Sequence, residues 1–150
     1  MAQSLHVVGV HLVFGTRCRR PMRDSTVRPS LFNYMAGILH NLECHAVTVG
    51  GVEDHVHVAC LLTKKHTTMK VVEELKRSSS KWLKTQSPRL RSFYWQNGYG
   101  LFSVSPSHME PLRSYIANQA THHRRETFSD EFIRLLKKNG AEYDEQHLWD

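Results

Sequence analysis

The chain has 150 residues, 40% apolar and 23% charged, which is ordinary globular material of one domain's length, neither disordered nor membrane-spanning. Three cysteines (Cys18, Cys44 and Cys60) with no CxxC pair argue against a disulfide scaffold or zinc knuckle and for a reducing, cytoplasmic setting. The net charge of +6 is uneven: residues 17–28 carry +4, residues 64–91 carry +7, and the rest sums to −5. This distribution reads as a surface for a polyanion, nucleic acid first, against the plainer reading of two solvated faces.

Residues 5–14 (LHVVGVHLVF) are β-branched and partly alternating, which predicts a strand. They lack the basic leader and small-residue cleavage site of a signal peptide. An Arg/Pro-rich loop follows over 17–29. Pro29 then suits a first helical turn, with Leu31, Met35, Leu39 and Leu42 at helical spacing. Residues 44–50 and 55–62 read as strands joined by the turn GGVED. Residues 67–84 predict a second helix with Val71, Leu75 and Leu83 on one side, stopped before Pro88, and a strand is expected near 101–105. Ser107 and Glu110 match a capping box for a third helix running to about 125, although Pro111 favours a start nearer 110. Thr127 or Ser129 opens a fourth helix that Gly140 ends. No repeat or linker divides the chain, so 1–150 reads as a single domain. The order β-α-β-β-α-β-α predicts an α+β fold: a ferredoxin-like (RRM-like) antiparallel sheet with helices packed on it.

Of eleven histidines, His55 and His57 stand out. Two apart on a strand, they project side by side and could chelate one divalent cation, with Glu53 as an additional ligand by alternation. Taken alone, such a pair is more often structural. On the third helix Tyr115 and Gln119 are four apart and share a face, although a packed tyrosine is the commoner case. Together these are a metal pair, a phenol able to attack, and an oxygen ligand one turn on.

The stretches HLVFGTRCRRP (11–21), DHVH (54–57), GYGLFSVSPS (98–107), YIANQATHH (115–123) and EYDEQHLW (142–149) follow one another along nearly the whole chain. With these motifs the sequence resembles the single-tyrosine HUH transposases of single-strand insertion sequences, the TnpA-like family. One departure is Gly15 with Cys18 in the first motif, which touches a DNA-facing loop. The resemblance implies a DNA transposase with Tyr115 as nucleophile on the third helix and His55, His57 and Gln119 as metal ligands. It implies Mg²⁺ or Mn²⁺ as cofactor, single-stranded DNA with a hairpin at the element ends as partner, and a homodimer. In that homodimer the tyrosine helix of one subunit completes the other's site.

A divalent cation there would neutralise a non-bridging phosphate oxygen. Attack by Tyr115 would leave a 3′-hydroxyl and a 5′-phosphotyrosine, whose bond keeps the energy for rejoining. No GxxxxGK[ST] loop is present, so no nucleotide cofactor is expected. His122 and His123 are candidates for a general base, or else shape the helix or touch DNA. Arg17, Arg19, Arg20, Lys76, Arg77, Lys81 and Lys84 are the expected DNA contacts, and Trp82, Tyr94 and Trp95 could stack bases or belong to the core. A non-cleaving nucleic-acid-binding module of the same fold would explain the charge but leave Tyr115, Gln119 and the histidines without a task. A metal-dependent phosphoesterase would form no covalent adduct. A domesticated relative acting on genomic repeats would share every motif.

Overall fold

In the computed structural model, which describes residues 2–150, nine regular elements follow one another. They are β1 (Gly9–Gly15), α1 (Val27–Asn41), β2 (His45–Gly51), β3 (His55–Leu61), α2 (Thr68–Leu83), β4 (Gly100–Val104), α3 (Met109–Ala117), α4 (Gln119–His122) and α5 (Phe128–Lys138). The strands form one antiparallel sheet in the order β2-β3-β1-β4. This is the ferredoxin-like connection expected from the element order, and the fold is α+β. Among the described residues no helix is long and apolar enough to cross a membrane.

Alternation along β1 and β3 sorts side chains to two faces. Val10, Leu12, Phe14, Val56, Val58 and Cys60 join Leu31, Met35, Val71 and Leu75 of α1 and α2 in the larger core. At about 1.5–3 kcal/mol for each large apolar side chain, this layer dominates the burial term. The opposite face carries His11, Val13, Gly15, His55, His57 and Ala59. There Val13 and Phe102 meet Phe128, Phe132 and Leu135 of α5, and Ala59 meets Met109 and Ile116 of α3. Gly15 makes this second layer possible. A Cβ at that position would lie 2.6 Å from Phe128 Cε2, so only glycine lets the start of α5 sit on the sheet.

Several boundaries differ from expectation. The first strand begins at Gly9, and Leu5 and Val7 are exposed. The first helix starts at Val27, two residues before Pro29, whose missing N–H still falls in the first turn where no partner is needed. The capping box does not form. A 3₁₀ turn over Pro106–His108 leads into α3, Ser107 Oγ pairs instead with His108 Nδ1 at 3.3 Å, and Glu110 bridges to Arg113. The third helix does not run on to 125: non-helical backbone at Asn118 (φ −96°, ψ 16°) separates α3 from α4. At the fourth predicted helix, here α5, Thr127 Oγ1 accepts from Asp130 N at 3.1 Å and Gly140 closes the far end at φ 66°.

Candidate active site

The face of β3 covered by α3 and α5 holds His55 and His57, both fully buried. Their register is fixed by pairing with β1, His55 opposite Gly15 and His57 opposite Val13. Asp54 Oδ1 accepts from His55 Nδ1 at 2.7 Å, which turns the His55 Nε2 lone pair inward. Phe128 stacks on the His55 ring at 4.1 Å between centroids. His57 Nδ1 shares a 2.7 Å hydrogen bond with His11 Nε2.

Facing them from α5 is Glu131, whose side chain has no solvent exposure. Its Oε1 lies 3.1 Å from His55 Nε2, 3.0 Å from His57 Nε2 and 3.1 Å from His123 Nε2. His123 donates its Nδ1–H to the Glu126 carbonyl at 2.7 Å, so its Nε2 also presents a lone pair inward. Gln119 Oε1 reaches His55 Nε2 at 3.0 Å, and its Nε2 donates to Glu131 Oε2 at 3.0 Å. Ligand atoms of His55, His57, His123 and Glu131 all lie within 4.8 Å of one another.

This donor set fits a divalent cation. His55 and His123 have their Nδ1 atoms engaged by oxygen acceptors and their Nε2 atoms aimed at one point, which is how metal-ligating imidazoles are held. Imidazole nitrogens with one carboxylate oxygen suit Mn²⁺ and Zn²⁺ more than an all-oxygen Mg²⁺ site.

Tyr115 on α3 donates its hydroxyl hydrogen to Glu131 Oε2, and Arg134 Nη2 donates to the same hydroxyl oxygen at 2.9 Å. Arg134 is anchored on Glu126 by bonds of 3.0 and 3.2 Å. Burial and the Glu131 carboxylate push the Tyr115 phenol well above its ordinary range, opposed by Arg134. Burial would raise Glu131, but hydrogen bonds from His123, His55 and His57 outweigh it and hold the carboxyl far below its usual range. Burial alone would lower His55, but the carboxylates of Asp54 and Glu131 raise it. His57 is lowered because its burial outweighs Glu131, and burial with His57 beside it brings His11 down to about 3, so His11 stays neutral.

The structure therefore brings Tyr115, His55, His57 and Gln119 together within one chain, whereas the resemblance implied a tyrosine supplied by a partner subunit. Glu53 does not join them. It is exposed in the turn before β3, where its backbone carbonyl accepts from Met22 N at 2.6 Å, and Asp54 is the residue that touches a histidine. Sequence reasoning missed Glu131, Arg134 and His11. The signal for Glu131 was an acid on the apolar stripe Phe128, Phe132, Leu135 of a helix.

The basic residues lie outside this cluster. Arg17 and Arg20 line a cleft of about 380 Å³ with Arg89 and Tyr94. Arg17 and Lys84 both lie over the Tyr94 ring, at 5.7 and 4.2 Å. Arg19 lies over Trp149 and donates to Ser129 Oγ. Lys81 is exposed, and Arg77 pairs with Glu74 at 2.6 Å. Lys76 is different: its ammonium donates to the carbonyls of Gln96, Asn97 and Gly98 at 2.5, 3.1 and 3.1 Å and closes that turn. Trp95 is core, its Nε1 donating to Ser79 Oγ at 3.0 Å, whereas Tyr94 is half exposed.

The family model for IS200-like transposases matches residues 4–119. Two solved structures share the fold. One is a Deinococcus radiodurans R1 protein assigned as a transposase, 21% identical, with a TM-score of 0.61 over 79% of this chain and 98% of that one. The other is a REP-associated tyrosine transposase bound to a REP hairpin, 11% identical, with a TM-score of 0.60 over 82% of this chain and 72% of that one. No curated protein matches the chain. With the model spanning most of its length, the chain belongs to the IS200-like transposase family.

Proposed function

We propose that residues 1–150 act as one HUH transposase unit that cuts and rejoins single-stranded DNA through a 5′-phosphotyrosine on Tyr115. The observation that carries this reading is the pairing of the Tyr115 hydroxyl with Glu131, the carboxylate central to a buried three-histidine set. His55, His57, His123 and Glu131 would hold the cation, with Gln119 beside His55. A bound divalent ion, Mg²⁺ or Mn²⁺, supplies the charge that makes a phosphodiester a better electrophile.

The remaining steps belong to side chains. The phenol hydrogen passes along its bond to Glu131 Oε2 as the Tyr115 oxygen bonds to phosphorus, and the Arg134 guanidinium stabilises the charge developing on that oxygen. The bond from phosphorus to the 3′-oxygen breaks and that oxygen takes up the proton the phenol gave; in reverse, another 3′-hydroxyl bonds to phosphorus, its proton returns to the Tyr115 oxygen and the phosphotyrosine bond breaks. Arg17, Arg19, Arg20, Arg77, Lys81 and Lys84 would contact DNA phosphates, with Tyr94 available for stacking. The hairpin held by the REP-associated neighbour supports a hairpin substrate here. In a homodimer, two sites each complete in one chain would be brought together.

The test is incubation with Mg²⁺ or Mn²⁺ and labelled single strands carrying the ends of the protein's own locus. A covalent adduct on denaturing gels that is lost in Tyr115→Phe and with chelator supports the mechanism. Cleavage without an adduct would point to a hydrolase, and binding without cleavage to a non-cutting module.

A further inference from the structure

Tyr115 has a second neighbourhood besides the metal-ligating set. Between β4, α3 and α5 opens a cleft of about 410 Å³, at the small end of ligand pockets. Phe102, Pro111 and Leu112 give it an apolar floor, and Tyr115 forms the wall that adjoins the histidines. Ser105 and His108 bring exposed polar groups to one edge, while Arg134 and Lys138 bring two cations to the other. The chemistry proposed above uses only Tyr115 and Arg134 of this lining, so the floor, the polar edge and Lys138 have no assigned task.

Resting on that reading, we infer that the cleft is a subsite for one unpaired DNA nucleotide adjoining the phosphate that Tyr115 attacks. Its base lies against Phe102, Pro111 and Leu112, and its phosphate lies on Arg134 and Lys138.

Three observations converge on this occupant. First, His55, His57, Glu131 and Gln119 are all buried at 1% exposure or less, so a strand reaches this centre past Tyr115, and the cleft is where Tyr115 meets open space. Second, the charge is complementary. Arg134 and Lys138 are one turn apart on α5 and share a side, and among the described residues Lys138 has no carboxylate within 4.0 Å. Arg134 holds Glu126 through Nε and Nη2, and among the described residues its Nη1 has no hydrogen-bond partner, which leaves that nitrogen for a phosphate oxygen. Third, an apolar floor with polar groups on one edge suits a base face and a base edge.

The experiment uses hairpin-bearing oligonucleotides with 2-aminopurine placed in turn at each position flanking the cut. Fluorescence is read on the intact protein, and adduct yield is read in parallel with abasic replacements at the same positions. The expected result is a fluorescence change confined to one flanking position, and about a tenfold loss of adduct when that base is removed, in keeping with one stacked base. Leu112→Trp, which fills the cleft from a half-buried helix position, should abolish both effects while circular dichroism stays unchanged. Lys138→Gln should weaken binding and lower the salt slope by about one phosphate contact. Equal sensitivity at every position, or a position-specific signal that survives Leu112→Trp, would overturn the subsite while a Tyr115-dependent adduct leaves the cleavage reading standing. Absence of any adduct would count against cleavage alone, because the fluorescence scan still reads whether a base enters.

Discussion

Glu131 is the residue on which the site's stability and its metal binding should separate. In Glu131→Ala, the Tyr115 hydroxyl, the Gln119 amide and three imidazoles lose a common partner. Breaking a buried charged network of this kind costs about 3–5 kcal/mol. Glu131→Gln keeps the shape. Its amide oxygen can accept from Tyr115 and Gln119 and its NH₂ can donate to the inward imidazole lone pairs, so without metal it should stay within about 1 kcal/mol of the parent. Metal binding should show the opposite pattern for Gln, because a neutral amide replaces the one carboxylate in the set; a loss of about 100-fold is expected. Thermal unfolding with and without Mn²⁺ reads both quantities. At a metal concentration 100 times the parent's Kd, binding contributes about 2.7 kcal/mol. For a chain of this length that raises Tm by about 5–11 °C. The same concentration should raise Glu131→Gln by only about 1–2 °C, since a hundredfold weaker site contributes about 0.4 kcal/mol. A full metal-induced shift in Glu131→Gln would refute Glu131 as a ligand, and an Ala variant as stable as the parent would refute its place at the centre.

Four further outcomes are expected. Asp54→Asn, which weakens the acceptor orienting His55, should lower Mn²⁺ affinity about 10–100-fold by calorimetry with the fold intact. Gly15→Ala drives a methyl to 2.6 Å from Phe128 Cε2 and should cost about 1–3 kcal/mol in denaturant unfolding. Because Phe128 stacks on His55, metal affinity should fall with it. Lys76→Met should destabilise by about 1.5–3 kcal/mol through loss of its three carbonyl partners, yet leave the salt slope of DNA binding unchanged. Arg20→Ala should do the reverse, reducing that slope by about one with little change in Tm.

The sheet and its helices were readable because their signals are local. Alternation through Val10, Leu12 and Phe14 and helical spacing through Leu31, Met35 and Leu39 each lie within one element. The histidine pair was readable for the same reason, since two positions on one strand share a face whatever packs above. Half of the candidate site was not. Glu131, Arg134 and the inward turn of His123 depend on how α5 and the segment after Asn118 lie across the sheet, a tertiary matter that spacing does not encode. The capping box failed where Pro106 and Pro111 imposed a 3₁₀ entry that competes with it. The lysines of α2 show the limit of charge counting: Lys76 and Lys81 add equally to the local charge, but one is spent on carbonyls and the other faces water.

The two halves of the site also lie far apart along the chain, and this bears on when it can first exist. Both strand histidines belong to a β-α-β-β unit that is finished by Leu61, whereas the carboxylate and the guanidinium that meet the Tyr115 hydroxyl arrive only at Glu131 and Arg134. Chains fold from the N-terminus as they are made, at about 5–20 residues per second, so the sheet can assemble while the phenol still lacks both partners. A nascent chain would then carry an inert tyrosine, and competence to cut DNA would be acquired in one late docking event.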